Sequence, residues 1–132
     1  MKHLYCDSCL LISLHQVKKL ELLSRYKNQF FISKTQIFGE LIKPDDLASK
    51  VIESISVIEN DRDEIILKTK EFISLYKTLS FYDCLCMAYA FLDGYCLITD
   101  DKALIKKCKI HHIEVKTSNE IIKEFLEVID LR

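Results

Sequence analysis

The chain has 132 residues, 49% of them hydrophobic and 30% charged, with two glycines and one proline. That balance excludes a disordered chain, and no apolar run approaches the length of a membrane span. The net charge of −1 hides an uneven distribution: residues 1–34 carry +4, 35–77 carry −3, 78–101 carry −4 with no lysine or arginine, 102–116 carry +4 and 117–132 carry −2. An acidic zone abutting a basic one suits a protein that binds a cation and a polyanion side by side.

The first strand is predicted over His3 to Cys6, followed by a helix through His15 capped by Asp7 or Ser8. Val17 to Tyr26 forms a second amphipathic stretch, Gln29 to Ile32 a second strand, and Ser33 opens a helix to Ile42 with Ile37, Phe38, Leu41 and Ile42 on its apolar stripe. Pro44 is placed in the first turn of the next helix. Ile55 to Ile58 is a third strand, and Asp61 or Asp63 caps a helix to Lys77. Tyr82 to Asp93 is apolar enough to be a buried helix, with Gly94 just beyond its end. Tyr95 to Thr99 is a buried strand, Lys102 to Lys109 a basic helix, and Ile113 to Val115 a last strand. Ser118 caps a closing helix to Ile129. Strands alternating with helices predict a single α/β domain over 1–132, three-layered (αβα) with a central parallel sheet of about five short strands.

Ligands of such sheets bind outside the carboxyl ends of the strands. Asp7 follows the first strand, Asp101 follows the fourth, Asp83 opens the buried helix, and Glu40 lies in the helix after the second strand. Taken singly, the three aspartates also suit helix caps and Glu40 a solvated position. As a set, like charges without internal cations must spread out, protonate or bind metal, and Mg²⁺ or Mn²⁺ prefers carboxylate oxygen.

Four segments carry these acids in order: Tyr5-Cys6-Asp7-Ser8-Cys9-Leu10-Leu11-Ile12, then Ser33-Lys34-Thr35-Gln36-Ile37-Phe38-Gly39-Glu40-Leu41, then Leu79-Ser80-Phe81-Tyr82-Asp83-Cys84, and Leu97-Ile98-Thr99-Asp100-Asp101. In order and spacing they resemble the four motifs of PIN-domain ribonucleases, of the compact VapC-like toxin type. The resemblance spans essentially the whole chain; Cys84 stands where the family usually has alanine. It implies a PIN-like fold and Asp7, Glu40, Asp83 and Asp101 as catalytic, metal-binding acids for Mg²⁺ (or Mn²⁺), with Ser8 and Thr99 as supporting hydroxyls. It implies RNA as substrate, and a small antitoxin protein or a homodimer as partners, for which Phe30, Phe31 and Phe38 offer apolar surface. The Leu-x-Thr-x-Asp pattern assigns the fourth ligand to Asp101 and leaves Asp100 to cap the following helix or meet solvent.

Lys102, Lys106 and Lys109 fall on one helical face and are candidates for nucleic-acid binding, with Lys18, Lys19 and Arg25 a weaker set. Six cysteines with no signal-peptide pattern predict reduced thiols and a cytoplasmic location, with no membrane association. Cys6-Asp7-Ser8-Cys9 has redox spacing without the usual context, and Cys84 and Cys86 read as packing residues. His111-His112 reads as a surface turn, and no glycine-rich phosphate loop occurs. The competing function is a catalytically silent PIN-like module that binds RNA or a protein partner.

Overall fold

A computed structural model describes residues 2–126. Five strands form one all-parallel sheet in the order β3-β2-β1-β4-β5: β1 Leu4–Cys6, β2 Phe30–Ser33, β3 Ser56–Ile58, β4 Cys96–Ile98 and β5 Val115–Lys116. The inner strands β1 and β4 are buried along their whole length, as parallel strands covered on both faces must be, whereas β3 and β5 at the edges are half-buried. The chain leaves β1 toward β2 and β3 on one side and returns through β4 and β5 on the other. The crevice between β1 and β4 is therefore the topological switch point, where such sheets bind ligands.

The helices follow the sequence pattern closely. Helix α1 (Ser8–Gln16) buries Leu10 and Leu11, with Leu14 one turn beyond them on the core face, at about 1.5–3 kcal/mol per side chain. A 3₁₀ helix occupies Leu20–Tyr26, where only Leu20 and Leu23 are buried, a spacing that suits three residues per turn. Helix α2 spans Lys34–Glu40, α3 Leu47–Ser54 and α4 Asp63–Leu75. Helix α5 (Phe81–Asp93) buries every residue from Cys84 to Ala90, packs on β1, β4 and α4, and stops at Gly94, whose φ of 73° only glycine adopts without strain. Helix α6 (Lys102–Ile110) buries only Leu104 and Cys108, one turn apart. Helix α7 (Ser118–Ile121) runs into a π-helical turn at Ile122–Leu126.

Several expectations are corrected. Pro44 precedes α3 rather than opening it: its carbonyl accepts from Leu47 N–H, and Asp46 is the residue before the helix. The residue before α4 is Arg62, and its side chain makes no cap; Asp61 instead accepts Ser33 Oγ and Thr35 Oγ1, each at 2.7 Å, and the Tyr89 hydroxyl. The last strand begins at Val115 rather than Ile113. Thr117, not Ser118, caps α7, in a reciprocal capping box with Glu120. The remainder of the closing helix to Ile129 lies outside the described residues. Helix α2 ends at Glu40, short of Ile42; Phe38 and Ile42 are exposed, and the buried positions in this stretch are Gln36, Ile37 and Leu41. Phe30 is wholly buried in the core and Phe31 half-buried, so of the three phenylalanines expected to serve association only Phe38 stands well out. No helix among the described residues is long and apolar enough to cross a membrane.

Candidate functional site

Asp7 is held where β1 ends. Its backbone N–H donates to the Ile98 carbonyl at 3.0 Å, which extends the β1–β4 pairing by one residue and sets Asp7 beside Thr99. The extended backbone of Asp7 (φ −70°, ψ 161°) makes it the residue before α1, and its Oδ1 accepts from Ser8 N–H at 2.8 Å. Oδ2 accepts from the Thr99 hydroxyl at 2.8 Å, and Thr99 Oγ1 in turn accepts from Asp101 N–H at 3.2 Å. The wholly buried Thr99 thus couples the ends of β1 and β4.

Glu40 reaches the same place from α2. Its Oε1 accepts from Ser8 Oγ at 2.6 Å and from Gln36 Nε2 at 3.1 Å. Gln36 sits one turn before Glu40 and is fully buried. Its Nε2 also lies 3.3 Å from Ser8 Oγ and 3.5 Å from Asp7 Oδ1, and its Oε1 accepts from the Tyr5 hydroxyl at 2.8 Å and the Cys86 thiol at 3.4 Å. Sequence reasoning missed Gln36. Its visible signal was a polar residue one helical turn ahead of a candidate acid, beside the buried Ile37.

Burial pushes the Asp7 carboxyl up to about 6. The Thr99 hydroxyl and the Ser8 N–H oppose that rise, while the charges of Asp83 and Glu40 add to it. Among the described residues, the strongest influences on Asp7 include no lysine or arginine. The same three acids, Asp7, Asp83 and Glu40, act on the buried Cys86 thiol.

The predicted set of four does not close into one ligand shell. Asp83 lies near enough to act on Asp7, but its Oδ2 accepts from Ser80 N–H at 3.1 Å in the capping box of α5. Asp101 Oδ1 accepts from Leu104 N–H at 3.0 Å as the cap of α6. Among the described residues, no three His, Cys, Asp or Glu side chains are gathered closely enough to hold a metal ion as they stand. Mutual repulsion and the backbone donors at the helix starts spread these carboxylates along the sheet edge. Asp100 turns away from them, as expected, but toward α7: its Oδ1 accepts from Ser118 N–H at 2.8 Å, a partner the sequence reading did not foresee.

The donor set nevertheless fits a hard divalent cation. It offers carboxylate and hydroxyl oxygens, with the charges of Asp83 and Glu40 both acting on Asp7. The thiols do not compete. All six cysteines are free; burial pushes Cys9 and Cys84 to about 11 and Cys6 higher still, which disfavours the reactive thiolate at the Cys6–Cys9 pair. A separate cavity of about 420 Å³ is lined by His15, Lys18, Leu20, Glu21, Asp46 and Lys50, none of them among the acids above.

On α6 the side chains of Lys102, Lys106 and Lys109 are all exposed, and among the described residues none has an acidic partner. Lys107 instead lies with its Nζ 5.0 Å above the Tyr76 ring. His111 is half-buried rather than a free surface residue, its Nε2 2.5 Å from the Tyr76 hydroxyl.

No protein-family model matches the chain, and no curated protein matches it. Solved structures do. The crystal structure of PAE2754 from Pyrobaculum aerophilum is similar with a TM-score of 0.67 at 18% identity, over 94% of this chain and 95% of that one. A PilT N-terminus domain protein, SSO1118, from the hyperthermophilic archaeon Sulfolobus solfataricus P2 is similar with a TM-score of 0.60 at 16% identity, over 96% and 95%. Likeness at these identities is likeness of architecture, and by it the chain has a PIN-like (PilT N-terminus) α/β fold.

Proposed function

We propose that the protein is a cytoplasmic, Mg²⁺- or Mn²⁺-dependent endoribonuclease. The observation that carries this reading is the pairing of Asp7 with Glu40 through Ser8 and Gln36 at the β1–β4 switch point, where the charges acting most strongly on Asp7 are those of other acids. Asp7 and Glu40 would hold the cation, with Asp83 and Asp101 on the same edge completing the acidic surface. Such an ion lowers the pKa of a bound water and stabilises charge on a phosphodiester. The chain's own groups do the rest: Thr99 and Ser8 aim the carboxylates, and Lys102, Lys106 and Lys109 offer positive charge to an RNA backbone.

Purified protein should cut single-stranded RNA with Mg²⁺ or Mn²⁺ and stop in excess chelator. Full activity in chelator would remove the metal from the reading. The second reading, a silent PIN-like module, draws on the commitment of Asp83 to its own helix cap. Binding of RNA without cleavage under any divalent ion would favour it. A VapC-like toxin role rests on the compact length and the motif order; co-purification with a small neighbouring antitoxin, as a hetero-complex or homodimer, tests it.

A further inference from the structure

Gln36 occupies a position that ordinary packing does not explain. A fully buried carboxamide costs free energy unless its donors and acceptor are matched, and here both ends are. Oε1 takes the Tyr5 hydroxyl and the Cys86 thiol, while Nε2 faces Glu40, Ser8 Oγ and Asp7. The orientation follows from the chemistry of the partners. Ionised carboxylates only accept, so the amine side must face Asp7 and Glu40. The Tyr5 hydroxyl already accepts from Ser33 N–H at 3.0 Å, which leaves its own proton for Gln36. Tyr5 is itself fixed, wholly buried and stacked on Tyr89 with ring centroids 5.2 Å apart.

We propose that Gln36 is the positioning residue of the acidic edge: its carboxamide, locked from behind by Tyr5 and Cys86, is a neutral donor wedge that sets the separation and aim of Asp7 and Glu40. The inference rests on the reading of those two acids as cation ligands, and it adds a group that touches neither the cation nor the RNA. Outer partners of metal-binding carboxylates commonly change metal affinity or activity by about 10–100-fold when removed.

The test uses the full chain and two variants. Gln36→Met keeps the volume and deletes the donors. Tyr5→Phe keeps the amide but frees it to turn, and it also removes the acceptor of Ser33 N–H. Circular dichroism and thermal melting establish that each variant folds. Mn²⁺ affinity, measured by titration calorimetry without RNA, should weaken about tenfold or more in Gln36→Met and by a smaller factor in Tyr5→Phe. The double variant should be no weaker than Gln36→Met, because Tyr5 acts through the amide. Wild-type affinity in a folded Gln36→Met, or fully additive losses in the double variant, would overturn the proposal.

An independent readout needs no metal: the Gln36 side-chain NH₂ should exchange slowly with solvent and exchange faster in Tyr5→Phe and in Asp7→Asn. If the wild type takes up no Mn²⁺, the ligand reading fails, and this exchange signature alone decides the positioning role. Unchanged exchange in both variants would end it.

Discussion

The hydroxyl of Thr99 donates to Asp7 Oδ2 across 2.8 Å, joining residues 92 apart in the chain at the ends of adjacent strands. The same oxygen receives Asp101 N–H, so one buried hydroxyl fixes two of the four candidate acids. Thr99→Val keeps the shape and removes both bonds. The expected result is a loss of stability of about 1–3 kcal/mol in denaturant titrations, because a donor to a carboxylate is lost in a buried setting. RNA cleavage should fall as well, through misplacement of Asp7, and a variant with wild-type turnover would show that Thr99 serves the fold alone.

The pH dependence of stability should run against the usual carboxylate rule. The Asp7 carboxyl is raised from 3.8 to about 6 in the folded protein, so the fold favours its protonated form. Its contribution is complete below pH about 4 and is lost as pH rises through about 6, a change of order 3 kcal/mol for a shift of this size. Metal-free Asp7→Asn should lack this decline and melt at a higher temperature than wild type at pH 7, while losing cleavage. Equal melting temperatures at pH 7 would contradict the burial of a charged Asp7.

Asp100 and Asp101 should separate cleanly. Asp101→Asn retains a side chain able to cap α6 and should abolish cleavage with little change in stability. Asp100→Asn faces Ser118 N–H and should keep most of the activity, at a stability cost of about 1 kcal/mol at most. The reverse pattern in an RNA cleavage assay would transfer the fourth acid to Asp100.

Neutralising two of Lys102, Lys106 and Lys109 should weaken single-stranded RNA binding without regard to sequence. The salt slope should shrink by about 0.7 for each phosphate that is no longer neutralised. Melting should move little, since exposed helix charges contribute only tenths of a kcal/mol. A slope identical to wild type would return this face to ordinary solvation.

What the sequence made legible and what it hid divide along physical lines. Buried parallel strands announce themselves as continuous apolar runs, so Leu4–Cys6 and Cys96–Ile98 were readable, and with them the acids that must follow at their carboxyl ends. Gln36 was not readable, because a buried polar side chain is intelligible only through its partners, and Tyr5 and Cys86 lie 31 and 50 residues away. The apolar stripe of α2 misled for a similar reason: Phe38 and Ile42 fit a helical period, yet the sheet meets the side carrying Ile37 and Leu41. The four acids share the sheet edge without closing into one shell, because each aspartate found a backbone donor at its own helix start, a local option that spacing does not reveal.

That arrangement makes the backbone a set of separate reporters. Ser8 N–H is bonded to Asp7, Ser80 N–H to Asp83 and Leu104 N–H to Asp101, each amide reading one carboxylate. Titrating Mg²⁺ into ¹⁵N-labelled protein therefore assigns occupancy acid by acid from three resonances, in the unmutated chain and without any substrate. An ion shared by all three carboxylates moves the three signals along one isotherm, whereas separate ions trace separate curves.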